Sequence, residues 1–249
     1  MRKALVAVAI GDKYIRQTEV MIESFLQHNP EWDPVRFYDA DVDKIIPDAA
    51  KDWNPFSKCE IGRWCALRIA LKNGFDHALY SDGDMFWYGS YPDYPKENDA
   101  AIVLSPHYLL MSSKRERVHL LIKDGMPNLG LIKARSDAAE TLDIFIWEVM
   151  RDPRPWFHGI GIWLQTISGI FAATGGFDVL YDQHPGVNVG NWNLTIERQI
   201  VKIQGHPHVL LGDLSYPLVA LHFSKYHKMR GRYGLVMDRL LSDYEWLLK

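Results

Sequence analysis

The chain has 249 residues, 47% hydrophobic and 24% charged, which excludes a disordered, collagen-like or low-complexity chain. A chain of this length can bury its own core without disulfide or metal staples. A formal net charge of −3 excludes the global basic field of a nucleic-acid-binding protein. In chain order, Met1-Arg2-Lys3 before an apolar run at residues 4–10 imitates a signal peptide. The run is short and Gly11-Asp12-Lys13 follows it, so it reads as a buried β-strand. Residues 18–28 carry Val20, Met21, Phe25 and Leu26 at helical spacing, stopped by Asn29-Pro30. A strand is predicted at 35–38 and a helix at 61–72, closed by Asn73-Gly74. Further strands are predicted at 77–80, 100–104 and 129–132, and an amphipathic helix at 136–150, ended by Asp152-Pro153. The segment 159–173 is the most apolar, but Gln165, Thr166 and Ser168 interrupt it short of the ~20 apolar residues of a membrane span. The loop-rich second half resists parsing. Strand–helix alternation through the first half predicts an α/β fold: a mostly parallel sheet flanked by helices, in one domain. Cys59 and Cys65, the only cysteines, share a helical stretch and suit no disulfide, which points to a reduced, cytoplasmic setting.

Two segments stand out chemically. In Leu79-Tyr80-Ser81-Asp82-Gly83-Asp84 a strand delivers two carboxylates to the sheet edge where open α/β folds bind ligands. Hard oxygen donors of this kind suit Mg²⁺ or Mn²⁺; the competing reading is an acidic turn. Asp39, Asp41 and Asp43 repeat the spacing, so the pattern by itself also arises by chance. The second segment runs from Val219 through His222 into Lys225, Lys228, Arg230 and Arg232. It offers an imidazole for a metal and cations for phosphates, or else a solvated basic loop.

Taken in order, Ala9-Ile10-Gly11-Asp12, Arg63, Leu79 to Asp84, Asn128-Leu129-Gly130 and His222-Phe223 with Lys228 resemble a nucleotide-sugar glycosyltransferase of the GT-A fold. The chain is most similar to the branch with glycogenin and the bacterial lipopolysaccharide galactosyl- and glucosyltransferases. The resemblance implies a nucleotide-binding half over about 1–105 and an acceptor and metal-loop half over about 106–249. It implies Asp82, Asp84 and His222 as ligands of Mn²⁺ or Mg²⁺, with Lys228, aided by Lys225, on the diphosphate of a nucleoside-diphosphate sugar. By the same match Arg63 stands near the donor. Ala9, Asp12 and Tyr14 border the nucleoside, and Asn128 and Gly130 line the sugar pocket. The acceptor would be a saccharide or glycoconjugate, the favoured donor a UDP-sugar.

The chain departs from that branch in several places. Lys225 stands where the late loop has glycine, Met229-Arg230 replace Pro-Trp, and Trp163-Leu164-Gln165 keep an aromatic and an amide but lose a carboxylate. Gln165 is then either a donor-sugar contact or a buried amide. Asp178 and Asp182 are candidates for the general base of an inverting transfer, or structural carboxylates flanking a strand. Trp156, Trp163 and Trp192 could stack on sugars or fill a core. Two other functions stay open: a sugar nucleotidyltransferase, and a non-catalytic carbohydrate-binding protein. The first normally has a glycine-rich phosphate loop after its first strand, where this chain has Gly11 alone.

Overall fold

Strand β1 (Lys3–Ala9) is buried on both faces, as its unbroken apolar sequence requires. The computed structural model describes residues 1–92, 101–105, 127–154, 161–179, 184, 186–189, 198–211 and 213–223. After β1 the chain turns at Gly11, whose φ of 91° is a conformation that glycine adopts freely. It enters helix α1 (Asp12–His28) at once. The helix therefore starts earlier than its apolar spacing indicates, with Asp12 in the first turn complementing the helix dipole. Strand β2 (Trp32–Tyr38) contains Pro34; it lies at the sheet edge, where a missing N–H is tolerated. Helix α2 (Ala40–Ile45) follows.

Helix α3 (Pro55–Lys72) begins well before its apolar stripe. Asn54 caps it by accepting the Ser57 N–H at 3.0 Å, and Pro55 occupies its first turn. Strands β3 (His77–Ser81), β4 (Met85–Trp87), β5 (Ile102–Ser105) and β6 (Asn128–Arg135) come next. A 3₁₀ turn at Ser136–Ala138 leads into α4 (Ala139–Arg151), followed by α5 (Gly161–Ala173) and β7 (Asp178–Val179).

The central sheet has the order β2-β1-β3-β6-β5-β7, and three of its five pairings are parallel. Strand β6 runs against β3, so Asn128, where β6 begins, lies at the edge where β1 and β3 end. Side-chain alternation along β1 feeds two cores. Val6 and Val8 join Trp64 of α3 and Phe145 of α4 on one face. Leu5 and Ala7 join Met21 and Phe25 of α1 and Trp87 of β4 on the other.

The second half supplies what periodicity did not reveal. Strands β8 (Arg198–Ile203), β9 (His206–Leu211) and β10 (Leu214–Pro217) form an antiparallel sheet. Gln204 and Gly205 join β8 to β9 with φ of 49° and 89°, the positive pair that a two-residue hairpin turn demands. Strand β11 (Ala220–His222) pairs antiparallel with β4. Cys59 and Cys65 are both free. Among the described residues no helix is long and apolar enough to cross a membrane.

Candidate active site

The edge where β1 and β3 end carries the two carboxylates. Asp82 directly follows β3 and donates its backbone N–H to the Gly130 carbonyl at 2.8 Å. Its side chain accepts the Tyr80 hydroxyl at 2.7 Å. Gly83 lies so close to Thr18 that a Cβ there would overlap the threonine hydroxyl. Pairing of β11 with β4 then brings in the histidine: His222 stands opposite Met85, and Phe223 donates its N–H to the Asp84 carbonyl at 2.8 Å.

The result is a compact donor set. His222 Nε2 lies 2.9 Å from Asp84 Oδ1 and 3.6 Å from Asp82 Oδ2. One ligand atom from each of the three residues lies within 4.8 Å of the others. In an octahedral shell with ~2.1 Å bonds, neighbouring donors sit about 3 Å apart and opposite ones about 4.2 Å. The three residues therefore fit one small divalent cation with little rearrangement. Two hard oxygens and one imidazole nitrogen suit Mn²⁺ better than Mg²⁺.

Electrostatics supports the grouping. Burial by itself would lower the His222 imidazole, but the facing Asp84 outweighs it and holds the group above its ordinary value. Burial would likewise raise Asp84, and His222 reverses that. Arg63, buried on α3, lies 3.6 Å from Asp82 Oδ1 and donates from Nη1 to the Leu129 carbonyl at 2.7 Å. Its guanidinium sits 5.0 Å from the Tyr80 ring centroid, and Glu60, one turn earlier on α3, pairs with it. Burial pushes the Glu60 carboxyl up to about 7 against the pull of Arg63.

These groups face a cleft of about 870 Å³. Ala9, Tyr14, Asn128, Gly130 and Gln165, all named from the sequence, line it as well. Gln165 is half-buried in the cleft wall. Asp12 stands exposed in the first turn of α1, outside the lining. The earlier acidic pairs are engaged elsewhere: Asp41 with Lys44, Asp43 with Lys58, and Asp39 with the Gly11 N–H. Trp163 packs against the core, with Arg154 4.4 Å from its ring centroid. Lys225, Lys228, Asp182, Trp156 and Trp192 lie outside the described residues, as does the side chain of Asp178.

Sequence reasoning missed Glu60, Cys59 and Asn188. The spacing of Glu60 and Arg63, three apart on one helix, was a usable signal for a pair. Cys59, one residue before Glu60 on the same helix, lines the cleft. Asn188 has no role assigned from the sequence; an isolated parallel bridge between Val189 and Leu221 places it.

No family model and no curated protein matches the chain. Solved structures do resemble it. A glycosyltransferase involved in glycosylating the major capsid of PBCV-1 aligns with a TM-score of 0.50 at 12% identity, over 76% of this chain and 85% of that one. Mouse xyloside xylosyltransferase 1 aligns at 9% identity and TM-score 0.49, over 89% and 97% of the two chains. The glycosyltransferase GlyE of Streptococcus pneumoniae aligns at 16% identity and TM-score 0.44, over 75% of this chain and 47% of its own. At such identity the likeness to the first of these is one of architecture: this chain has the mixed α/β fold of that glycosyltransferase, a central, mostly parallel sheet flanked by helices.

Proposed function

We propose that the chain is a metal-dependent glycosyltransferase that moves a sugar from a nucleoside-diphosphate sugar, UDP favoured, to a saccharide or glycoconjugate acceptor. The observation that carries this reading is the convergence of Asp82, Asp84 and His222 within one cation's reach, on the wall of a large cleft at the sheet edge. The Asp-x-Asp and the late histidine resemble those of the branch typified by glycogenin. The three side chains would hold Mn²⁺ or Mg²⁺, which supplies positive charge to the departing diphosphate.

The chain's own residues do the rest. Arg63 adds a fixed buried cation beside Asp82. Asn128 already spends its Oδ1 on the N–H of Gly130 and on Asn188, so its amide Nδ2 is the group left to donate to a sugar hydroxyl. Gln165 offers a second amide from the opposite half of the sequence. Lys228, with Lys225 beside it, would pair with the diphosphate by its spacing from His222, and Asp182 is the candidate base if the transfer inverts. A nucleotidyltransferase is disfavoured because the Gly11 N–H is held by Asp39 Oδ1 at 2.8 Å and so does not face a phosphate.

The test is calorimetric titration of UDP with and without Mn²⁺ on wild type, Asp84→Ala and His222→Ala. Wild-type affinity should rise with Mn²⁺ and the variants should lose that rise. A panel of UDP-, GDP- and dTDP-sugars with Mn²⁺ should then show slow release of nucleoside diphosphate from one donor. UDP affinity indifferent to Mn²⁺ in wild type, or enhancement surviving both substitutions, overturns the cation site; no release from any sugar overturns the transferase.

A further inference from the structure

We infer that Asn188 is the positioning residue of the cation site: it holds His222 through a protonated Nδ1, so that Nε2 is the nitrogen turned to Asp82 and Asp84 and the one a bound cation would take. This rests on the proposed reading of those three side chains as a cation site. The argument begins with the asparagine's own orientation. Its Nδ2 lies 2.8 Å from Ser105 Oγ and 3.1 Å from Asn128 Oδ1. Asn128 Oδ1 also accepts the Gly130 N–H at 2.9 Å, so it is an acceptor and the group facing it must be the NH₂ end of Asn188. The amide is thus assigned by its network rather than by choice. Its carbonyl end, Oδ1, then lies 3.0 Å from His222 Nδ1. A carbonyl oxygen has no proton to give, so Nδ1 carries the hydrogen.

The backbone fixes both partners. Val189 donates its N–H to the Ala220 carbonyl at 3.0 Å, and His222 donates its own to the Val189 carbonyl at 2.8 Å. Asn188 itself sits at φ 52°, a left-handed conformation that asparagine tolerates far better than most residues. Asn188 and His222 are 2% and 3% exposed, so water does not compete for either end of the bond. An imidazole ligand held through its second nitrogen is oriented and made more basic, and loss of such a partner costs about 10- to 100-fold in metal affinity.

Two substitutions separate positioning from mere packing. Asn188→Asp keeps an acceptor for His222 and tolerates the left-handed backbone, but cannot donate to Ser105 and Asn128. Asn188→Gly keeps the backbone conformation and removes the acceptor. Mn²⁺ affinity, read by electron paramagnetic resonance, should fall about 10- to 100-fold in Asn188→Gly and stay near wild type in Asn188→Asp. With ¹⁵N-histidine labelling and diamagnetic Zn²⁺ as probe, wild type and Asn188→Asp should show His222 metallated at Nε2 with a slowly exchanging Nδ1 proton. The His222→Gln variant assigns that signal, and Asn188→Gly should lose it. Zn²⁺ on Nδ1 in wild type, or equal loss of Mn²⁺ affinity in both variants, overturns the inference. Failure of wild type to bind either cation would instead overturn the cation site. The cation-free ¹⁵N spectra then decide the orientation, since an Nδ1 proton equally protected in wild type and Asn188→Gly refutes the role of Asn188.

Discussion

Phe223 donates its backbone N–H to the carbonyl of Asp84 at 2.8 Å, and the register of the site hangs on that bond. It extends the β4–β11 ladder, in which His222 faces Met85, by one step into the carboxylate turn. Side chains alternate along a strand, so a slip of one residue would turn His222 to the opposite face. Two short strands thus convert two distant motifs into one donor set.

Gly130 is predicted to be indispensable to that set. A Cβ there would come 2.5 Å from His222 Cε1 and 2.8 Å from Asp82 Oδ2, and both neighbours are held by hydrogen bonds rather than free to yield. Gly130→Ala should fold, at a cost of about 1–3 kcal/mol for overpacking, and lose the Mn²⁺ enhancement of UDP binding by at least ~10-fold, in keeping with losses of ligand orientation. Calorimetry on the purified variant decides it, and undiminished enhancement counts against the assigned geometry.

Gly83 should behave differently. The atom a Cβ would strike first is the hydroxyl of Thr18, with the Thr18 Cα and Cβ at 3.3 Å. Gly83→Ala alone should destabilise by about 1–3 kcal/mol. Thr18→Ala removes the hydroxyl, so the double variant should be more stable than the sum of the single effects by about 0.5–3 kcal/mol. Chemical denaturation of the four proteins measures that coupling, and strict additivity would mean the carboxylate turn relaxes away from α1.

Much of this was legible in the sequence, for definite reasons. Strands β1 and β3 are unbroken apolar runs, and a doubly covered strand leaves that signature. The pair Asp82 and Asp84 stood out because it follows such a run, whereas Asp41 and Asp43 do not. Helix starts escape the apolar spacing at α1 and α3 because Gly11 and Asn54 begin helices whose first turns bury no apolar side chain. The β8–β9 hairpin was hidden behind Gln204-Gly205, since glutamine is a rare occupant of a left-handed turn position. The role of Asn188 was out of reach for another reason: it comes from a tertiary neighbour, His222, and no spacing along the chain encodes that, whereas Glu60 pairs with Arg63 within one helix.

The α1–β2 edge carries a predictable acid limb. Arg36 binds Glu19 through two nitrogens, at 2.8 and 3.1 Å, and the Tyr38 hydroxyl donates to the same carboxylate at 2.7 Å. Burial raises the carboxyl of Glu19, but these bonds outweigh it and hold the group below its ordinary 4.5. A carboxyl lowered in the folded state stabilises fully above its unfolded value and loses that contribution as pH falls through the folded one. The thermal midpoint of Glu19→Gln should therefore lie below wild type at neutral pH and converge with it on acidification below about 4.5. A gap that stays constant or widens towards low pH contradicts the assignment.

Glu60 and Arg63 make the last prediction, because the pair is buried beside the cation site and each member is costly without the other. Arg63 spends one nitrogen on the Leu129 carbonyl and another on Glu60. Lysine cannot reproduce that fork, so Arg63→Lys should weaken donor binding although the charge is retained. Arg63→Met strands the Glu60 carboxyl, already pushed up to about 7 by burial, and should cost about 3–5 kcal/mol of stability, as removal of one partner from a buried pair does. Adding Glu60→Gln removes the stranded acid and should recover part of that loss, which a denaturation cycle over the four proteins will show. Removing a cation that lies 3.6 Å from Asp82 should also tighten Mn²⁺ binding in the double variant while UDP-sugar affinity falls. Stability without recovery would mean Glu60 is stabilised by groups other than Arg63, and Mn²⁺ affinity that drops together with donor affinity would make Arg63 a support of the cation site rather than a donor residue.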